Sequence, residues 1–120
     1  MQIRRGDVFF ADLDPVIGSE QGGNRPVLVI QNDVGNIYSP TIVIVPLTTR
    51  MKKKLSTHVP ITLNGCRNVV LGEQMRTISK SRLQDRIGRL SKQDMCKVNY
   101  AIQISIGLID LPKKLTHQPA

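Results

Sequence analysis

The sequence is poor in the residues that build disulfide frameworks, zinc sites and aromatic binding platforms. Its two cysteines, Cys66 and Cys96, are far apart and form no Cys-x-x-Cys pair. That spacing indicates neither a zinc site nor a redox motif, and we expect both thiols to be buried and reduced. Tryptophan is absent and aromatic residues make up only 3% of the chain, which argues against a platform of aromatic rings for base stacking.

The chain also lacks long apolar segments. No uninterrupted apolar run approaches the roughly 18 residues of a membrane span, and the N-terminus does not resemble a secretion signal. We therefore predict a soluble, cytoplasmic protein with no membrane partner. At 120 residues the chain is long enough for a single domain, predicted to be residues 1–120 with a flexible tail at 113–120.

Common catalytic and cofactor motifs are missing. The chain has no Walker loop, no dinucleotide fingerprint, no His-Glu-x-x-His and no Gly-x-Ser-x-Gly. Its densest acidic group, Asp7, Asp12, Asp14 and Glu20, falls mostly at predicted strand ends and turns, where aspartate is common without a metal. We predict no cofactor and no metal site, and a nuclease of this sequence would work without a metal and without paired histidines.

Positive charge, in contrast, is abundant. The formal net charge is +8 and the isoelectric point about 10.0, with +2 in residues 1–60 and +6 in residues 61–120. Such a balance favours a polyanionic partner, because binding releases counterions from a phosphate chain. The basic segment Lys52, Lys53 and Lys54 has two interpretations that stay equally open, a solvated turn and a set of phosphate contacts.

Hydrophobic patterns predict a mainly β chain. Short apolar runs bounded by turn residues predict strands over residues 8–11, 27–30, 41–49, 58–62 and 68–71. Strands so closely spaced favour a small, strongly bent sheet or barrel.

The segments between the predicted strands show no clear strand or helix pattern. Residues 32–36 have the composition of a turn, and residues 75–83 are polar and basic with isolated apolar anchors. Pro46 lies near the end of its predicted strand, which indicates a bulge or a sheet edge.

One substantial helix is predicted near the C-terminus. Ser91 is a good N-cap, and Pro112 is predicted to end the helix. Apolar residues recur between them at helical spacing, so one face should pack on the sheet: Met95, Val98, Ile102, Ile106 and Ile109.

The segment from Gly22 to Asn32, Gly-Gly-Asn-Arg-Pro-Val-Leu-Val-Ile-Gln-Asn, joins a long loop to a strand that reads as buried on both faces. Pro26 pushes the preceding Arg25 toward an extended backbone, which holds the arginine at the mouth of the strand. A guanidinium offers a planar fork of donors suited to phosphate or carboxylate. From this segment alone, a solvated charge at the strand edge is an equally good interpretation.

RNA offers a cleavage route that needs no metal. The 2′-hydroxyl of the RNA can attack the adjacent phosphorus, and the protein then has to assist proton transfer and stabilise the charged phosphorane. Arginine and threonine side chains could supply the necessary donors, whereas DNA lacks the nucleophile.

Four segments together resemble the MazF/PemK toxins in order and spacing: Arg-Arg-Gly-Asp-Val at 4–8, Gly-Ser-Glu-Gln-Gly-Gly-Asn-Arg-Pro-Val-Leu-Val-Ile at 18–30, Val-Pro-Leu-Thr at 45–48 and Glu-Gln-Met-Arg-Thr-Ile at 73–78. The resemblance covers essentially residues 3–110. It implies an SH3-like β-barrel with a C-terminal α-helix.

The resemblance also implies a function. Toxins of this family belong to toxin-antitoxin pairs and are endoribonucleases that cut single-stranded RNA at a short sequence, leaving a 2′,3′-cyclic phosphate (or 3′-phosphate) and a 5′-hydroxyl. It further implies a homodimer and a cognate antitoxin whose C-terminal segment covers the RNA groove, with DNA binding in the company of the antitoxin.

Positions that match the family's motifs suggest roles for individual residues. Arg25 and Thr48 match the catalytic pair. Ser19 stands where some members have a histidine, and Ser79 stands where many have an aspartate. The resemblance therefore does not identify the general base. The remaining matches line or flank the RNA groove: Ser19, Glu20, Gln21, His58, Gln74, Arg76 and Thr77.

Two other functions stay open on the sequence. A toxin of the same barrel architecture could act by binding a protein such as a gyrase, and a related module could bind RNA without cutting it. Arg25, Thr48 and the net charge of +8 favour the endoribonuclease.

Overall fold

The structure is a computed structural model that describes residues 2–50 and 54–111. These residues form seven strands and two α-helices, with a short 3-10 turn at Lys80–Arg82. In chain order the elements are β1 (Asp7–Asp12), β2 (Asn24–Val29), α1 (Asp33–Tyr38), β3 (Thr41–Thr48), β4 (His58–Leu63), β5 (Cys66–Leu71), β6 (Arg76–Ser79), β7 (Leu83–Arg89) and α2 (Lys92–Ser105).

The strands form one antiparallel sheet in the order β4-β5-β3-β2-β1-β7, with β6 paired to β3. The two outermost strands of this order approach each other. Asn64, just after β4, donates from its side-chain amide to the carbonyl of Ile87 in β7 at 2.7 Å. A Cβ added to Gly88 would lie 2.8 Å from a methyl group of Leu63. The sheet is therefore curled into a half-barrel, which confirms the predicted fold class.

Pro46 lies where β3 exchanges one neighbouring strand for another. The ladder between β3 and β6 ends at the pair Ile44 and Arg76, and the ladder between β3 and β5 begins at Leu47 and Val70. A proline has no N–H to contribute to a ladder, so the junction between two partners is a position that tolerates it. The prediction of a sheet edge is wrong, because β3 has partners on both sides.

Strand β2 is buried on both faces, as its sequence predicts. Leu28 packs in one hydrophobic cluster together with Val45 and Val98 of α2. Val27 and Val29 point to a second cluster that contains Phe9 and Ile44. All three β2 side chains are fully buried, so the strand that follows Arg25 is a rigid part of the core.

Helix α2 begins as predicted and ends earlier. The Ser91 hydroxyl accepts a hydrogen bond from the Asp94 N–H at 3.1 Å. The last turn closes after Ser105, where Gly107 at φ +78° lets its own N–H and that of Leu108 bond back to helix carbonyls. The prediction that Pro112 ends the helix is wrong, and Pro112 itself lies outside the described residues.

The apolar face of α2 is correspondingly shorter than predicted. Val98 and Ala101 are buried, and Met95 and Ile102 pack against the same cluster. Ile106 is 52% exposed beyond the end of the helix.

Two segments are more regular than predicted. The predicted turn at residues 32–36 begins helix α1, because the Asn32 side chain caps it by accepting from the Gly35 N–H at 2.8 Å. The segment at residues 75–83, predicted as polar with isolated apolar anchors, contains strand β6 and the 3-10 turn, and its last residue begins strand β7.

The predicted burial of the two cysteines is also wrong. Cys66 and Cys96 are both exposed free thiols. Cys66 follows the tight turn between β4 and β5, and Cys96 lies on the face of α2 away from Val98. Within residues 2–50 and 54–111, neither helix is long and apolar enough to cross a bilayer.

Candidate functional site

A cleft of about 410 Å³ opens between the loop before β2, the middle of β3 and the turn from β5 to β6. Its floor is apolar and its rim carries amide, hydroxyl and charged side chains. The cleft brings together five of the residues that the sequence predicted as RNA contacts, Ser19, Glu20, Gln21, Gln74 and Arg76, and adds an apolar set that it did not predict: Leu13, Ile44, Pro46 and Met75.

The loop at residues 13–23 is held in place at both ends. Leu13 and Gly23 are joined by a backbone hydrogen bond of 3.0 Å, and the Gly23 N–H also donates to the Asp14 carboxylate at 2.9 Å. The Arg76 guanidinium, projecting from β6, donates to the Leu13 carbonyl at 2.6 Å. Glu20 accepts from the Ile17 N–H at 2.6 Å. The carboxylates of Asp14 and Glu20 therefore both hold the loop by accepting backbone hydrogen bonds.

Gln21 and Gln74 connect this loop to the opposite wall of the cleft. The Gln21 backbone N–H donates to the side-chain Oε1 of Gln74 at 2.9 Å. Gln21 is buried and Gln74 half-buried. The two residues are 53 positions apart in the chain, so their contact fixes the width of the cleft at this point.

Glu73 anchors the turn that carries Gln74. One carboxylate oxygen accepts from the Thr57 hydroxyl at 3.1 Å, and the other lies 2.9 Å from Nε2 of His58. The His58 side chain is only 7% exposed and is not among the residues that line the cleft. The sequence analysis singled out His58 and missed Glu73, whose position next to Gln74 was the available signal.

Arg25 and Thr48 lie beside the cleft at adjoining strand ends. The ladder between β2 and β3 ends at the pair Val27 and Pro46, so Arg25 and Thr48 each lie two residues beyond its last pair. The Arg25 Nε donates to the Gly22 carbonyl, and this hydrogen bond holds the guanidinium group in place. Both residues therefore lie toward the same end of the β2–β3 ladder, and their role as a catalytic pair stays a prediction.

The Thr48 hydroxyl is shielded from bulk water. Thr48 is 2% exposed, and its Oγ1 accepts a hydrogen bond from the Arg50 N–H at 3.2 Å. Because the oxygen accepts here, the hydroxyl hydrogen remains to be donated in another direction.

The other predicted contacts are not gathered in the cleft. Thr77 is exposed on β6, next to Arg76 and outside the lining residues. Lys54 is exposed in the segment before β4, whereas Lys52 and Lys53 lie outside the described residues.

A separate cluster of charges joins β1 to β7. The Asp7 side chain is 3% exposed and accepts from Arg89 at 2.8 Å, from the Arg4 N–H at 2.9 Å, and pairs with Arg86 at 3.2 Å. Asp7 is thus committed to structure. In the described part of the chain, His, Cys, Asp and Glu side chains nowhere gather in threes as ligands for a metal ion.

One carboxylate near this cluster has a shifted pKa. The backbone N–H of Arg5 donates to Asp33 at 2.7 Å, and the Asn36 side chain adds a second donor. Both bonds favour the ionised form, so they lower the pKa of Asp33 below its usual value of 3.8. This carboxylate lies in the first turn of α1 and does not line the cleft.

The sequence and the fold both match known proteins. Residues 4–106 match the family model described as "PemK-like, MazF-like toxin of type II toxin-antitoxin system". The chain is 54% identical over 115 residues to Endoribonuclease EndoA of Bacillus subtilis, covering 92% of this chain and 99% of that protein. It is 51% identical over 111 residues to Endoribonuclease MazF of Staphylococcus saprophyticus, covering 88% and 92%.

Two solved structures agree with the fold. An endoribonuclease from Mycobacterial species, solved in complex with its cognate antitoxin, superposes with a TM-score of 0.77 at 26% identity over 92% of this chain and 99% of that one. MazF from Deinococcus radiodurans superposes with a TM-score of 0.80 at 24% identity over 89% and 98%. The chain therefore belongs to the family of PemK-like, MazF-like toxins of type II toxin-antitoxin systems.

Proposed function

We propose that this protein is the toxin of a toxin-antitoxin pair and acts as a sequence-specific, metal-independent endoribonuclease on single-stranded RNA. The observation that carries the proposal is the β2–β3 register, which leaves Arg25 and Thr48 each two residues beyond the pair of Val27 with Pro46, and Pro46 lines the cleft. Relatives at 54% and 51% identity are named endoribonucleases, which supports the same activity here.

The reaction begins with attack of the RNA 2′-hydroxyl on the adjacent phosphorus. The 2′ oxygen loses its proton, a new P–O bond forms, and the bond to the 5′ oxygen breaks, leaving a 2′,3′-cyclic phosphate and a 5′-hydroxyl. The pentacoordinate intermediate carries extra negative charge on its phosphoryl oxygens. Donors fixed before the reaction stabilise that charge most, because they need no reorganisation when it develops.

Arg25 supplies such fixed donors. Its Nε is anchored by a hydrogen bond to the Gly22 carbonyl. The two terminal nitrogens of the guanidinium then donate to the scissile phosphate. A guanidinium remains protonated at neutral pH and is a poor proton shuttle, so its role is electrostatic support of the phosphorane. Thr48 donates its hydroxyl hydrogen to a phosphoryl oxygen, while its own oxygen accepts from the Arg50 N–H.

RNA on either side of the scissile phosphate follows the cleft and the basic surface around it. Ser19, Glu20, Gln21 and Gln74 face the bases, and Arg76 holds the loop that carries the first three. The net charge of +8 attracts the phosphate chain in a salt-dependent way. Further contacts along the strand are assigned by family resemblance and by charge: His58, Thr77, Lys52, Lys53 and Lys54.

In the cytoplasm the toxin forms a homodimer that its cognate antitoxin silences by covering the RNA groove, and the complex binds DNA. The solved structure of a mycobacterial endoribonuclease in complex with its cognate antitoxin supports the antitoxin as a partner. Sedimentation of the purified protein tests the dimer, and a monomer at micromolar concentration would contradict it.

Incubation of the purified protein with a long single-stranded RNA in excess chelator tests the cleavage proposal. We expect discrete cuts at a short recurring sequence, with 2′,3′-cyclic phosphate or 3′-phosphate ends and 5′-hydroxyl ends. A matched strand with a 2′-deoxy nucleotide at the cut position should remain intact. Intact RNA in the first reaction, or cutting of the 2′-deoxy strand, would contradict the proposal.

A further inference from the structure

The Gln74 side chain has a fixed orientation. Its Oε1 lies 2.9 Å from the backbone nitrogen of Gln21. A backbone N–H can only donate, so the amide group of Gln74 must present its oxygen to Gln21 and its Nε2 hydrogens elsewhere. The usual ambiguity between the two ends of a glutamine amide does not arise here.

The backbone below this side chain is held by a set of local contacts. The Gln74 N–H donates to the Leu71 carbonyl at 3.0 Å, and the Gly72 N–H donates to the Thr57 carbonyl at 2.9 Å. The neighbouring Glu73 carboxylate is bound by Thr57 and lies 2.9 Å from Nε2 of His58. The turn, the side chain and the direction of its amide are thus all determined before any ligand binds.

The Nε2 group remains as a donor at the cleft. Within residues 2–50 and 54–111 it makes no hydrogen bond to the protein. Gln74 lines the cleft and is half-buried, so a ligand there meets a donor with little freedom to rotate away. A donor without a partner in a partly enclosed site favours a ligand with an acceptor at that point and disfavours a ligand that presents a second donor.

We propose that Gln74 determines base specificity by donating from Nε2 to the keto oxygen at C4 of a pyrimidine or C6 of a purine held in the cleft, an inference that rests on the endoribonuclease function proposed above. Uracil and guanine carry such an oxygen at O4 and O6. Adenine and cytosine carry an exocyclic amine at the equivalent position, which places a donor against a donor. Gln74 therefore selects uracil or guanine at one position of the recognition sequence.

Two substitutions separate the amide's two functions. Gln74→Glu keeps the length of the side chain and an oxygen that accepts from the Gln21 N–H, but it has no hydrogen to donate at neutral pH. Gln74→Met keeps the length and removes both hydrogen bonds. Gln93→Glu, at an exposed position in the first turn of α2, makes the same change of charge away from the cleft and serves as the control.

The measurement is the base preference at each position around the cuts made in a randomised single-stranded RNA library. The same preference is read from uncleavable 2′-deoxy-substituted strands that each protein retains, so that slow variants are also scored. Each preference is the ratio of one base to another for the same variant. A change of charge that weakens RNA binding equally for all bases therefore cancels. We expect wild-type protein and Gln93→Glu to favour a keto base at one position by about three- to tenfold.

Gln74→Met should lose that preference, and Gln74→Glu should reverse it toward adenine or cytosine, whose amines can donate to the carboxylate. If a folded Gln74→Glu protein keeps the wild-type preference at every position, the inference is wrong although the proposed function stands. If the wild-type protein leaves RNA intact, the proposed function fails, and the inference fails with it.

Discussion

The Arg25 guanidinium combines a positive charge with a hydrogen bond that holds its Nε in place. Its Nε donates to the Gly22 carbonyl, which restricts the directions that the side chain can take. Replacement by alanine removes both the charge and the donors. Replacement by lysine keeps the charge but loses the planar pair of donors and the Nε anchor.

We predict that Arg25→Ala lowers the single-turnover rate of RNA cleavage by more than 10²-fold, and that Arg25→Lys recovers only a small part of it. Both variants should keep the wild-type melting temperature, because Arg25 is half-exposed at a strand end. Arg67→Ala, at an exposed position of β5, removes the same charge elsewhere and should cleave at close to the wild-type rate. Cleavage by a folded Arg25→Ala protein at the rate of the Arg67→Ala control would remove Arg25 from the mechanism.

Thr48 differs from Arg25 because its contribution depends on one hydrogen. We predict that Thr48→Val, which has the same shape without the hydroxyl, lowers kcat by about 10²-fold with a smaller effect on KM. Thr48→Ser should retain most of the activity, because it keeps the hydroxyl. Steady-state kinetics on a short RNA with one cut site measures both parameters. Equal rates for the serine and valine variants would show that the hydroxyl does not take part.

At the level of elements, β1 and β7 are joined by a buried carboxylate as well as by backbone bonds. Asp7 accepts from Arg4 and Arg89 and pairs with Arg86 while almost fully buried. Removing a buried acceptor leaves its donors without a partner, and the two guanidinium groups are only about half-exposed.

We predict that Asp7→Ala lowers the free energy of unfolding by about 2 kcal/mol, measured by urea titration. Asp7→Asn should lower it less, because an amide oxygen still accepts one of the hydrogen bonds. Asp85→Ala, at an exposed position of β7, is the control and should change stability by less than about 0.5 kcal/mol. A loss for Asp7→Ala no greater than the control's would show that the cluster does not stabilise the sheet.

The elements also show which parts of the fold the sequence could predict. β2 and β3 are runs of β-branched residues, and α2 begins with a serine cap and continues with apolar residues at helical spacing, so all three follow from local patterns. β7 is an edge strand with polar residues on its exposed side, which hides its alternation. The end of α2 depended on Gly107, a local signal that was overlooked in favour of Pro112.

Some features of the candidate site could also be predicted from local sequence, and others could not. Arg25 could be singled out because glycines precede it and a proline follows it. The contact between Gln21 and Gln74 joins residues 53 positions apart, and the role of Glu73 depends on Thr57 and His58 from another strand. Contacts of that kind arise from the curl of the sheet, which no local pattern determines.

For the molecule as a whole, two glycines lie at places where separate parts of the structure approach closely. A Cβ at Gly72 would lie 2.7 Å from the Thr57 backbone oxygen and 3.3 Å from Ala101 of α2. A Cβ at Gly88 would lie 2.8 Å from a methyl group at the end of the Leu63 side chain. A side chain can change its rotamer, whereas a hydrogen-bonded backbone carbonyl cannot move without its strand.

We predict that Gly72→Ala lowers the free energy of unfolding by about 2 kcal/mol and that Gly88→Ala lowers it by less than about 1 kcal/mol. Because Gly72 precedes the turn that carries Gln74, Gly72→Ala should also raise the KM for RNA. Urea unfolding and steady-state kinetics on the same two proteins measure both effects. A larger loss of stability in Gly88→Ala than in Gly72→Ala would contradict the prediction.

The pairing of β1 with β7 has a consequence for how the protein is synthesised. Asp7 pairs with Arg89, so the ends of this ladder enclose most of the chain. Closing so long a loop is costly in entropy and slow, whereas hairpins such as β4 with β5 can form from neighbouring residues. On the ribosome, β1 lacks one of its two neighbours until β7 has emerged. The protein should therefore complete its sheet only after β7 has left the ribosome, which pulse proteolysis of stalled nascent chains can measure.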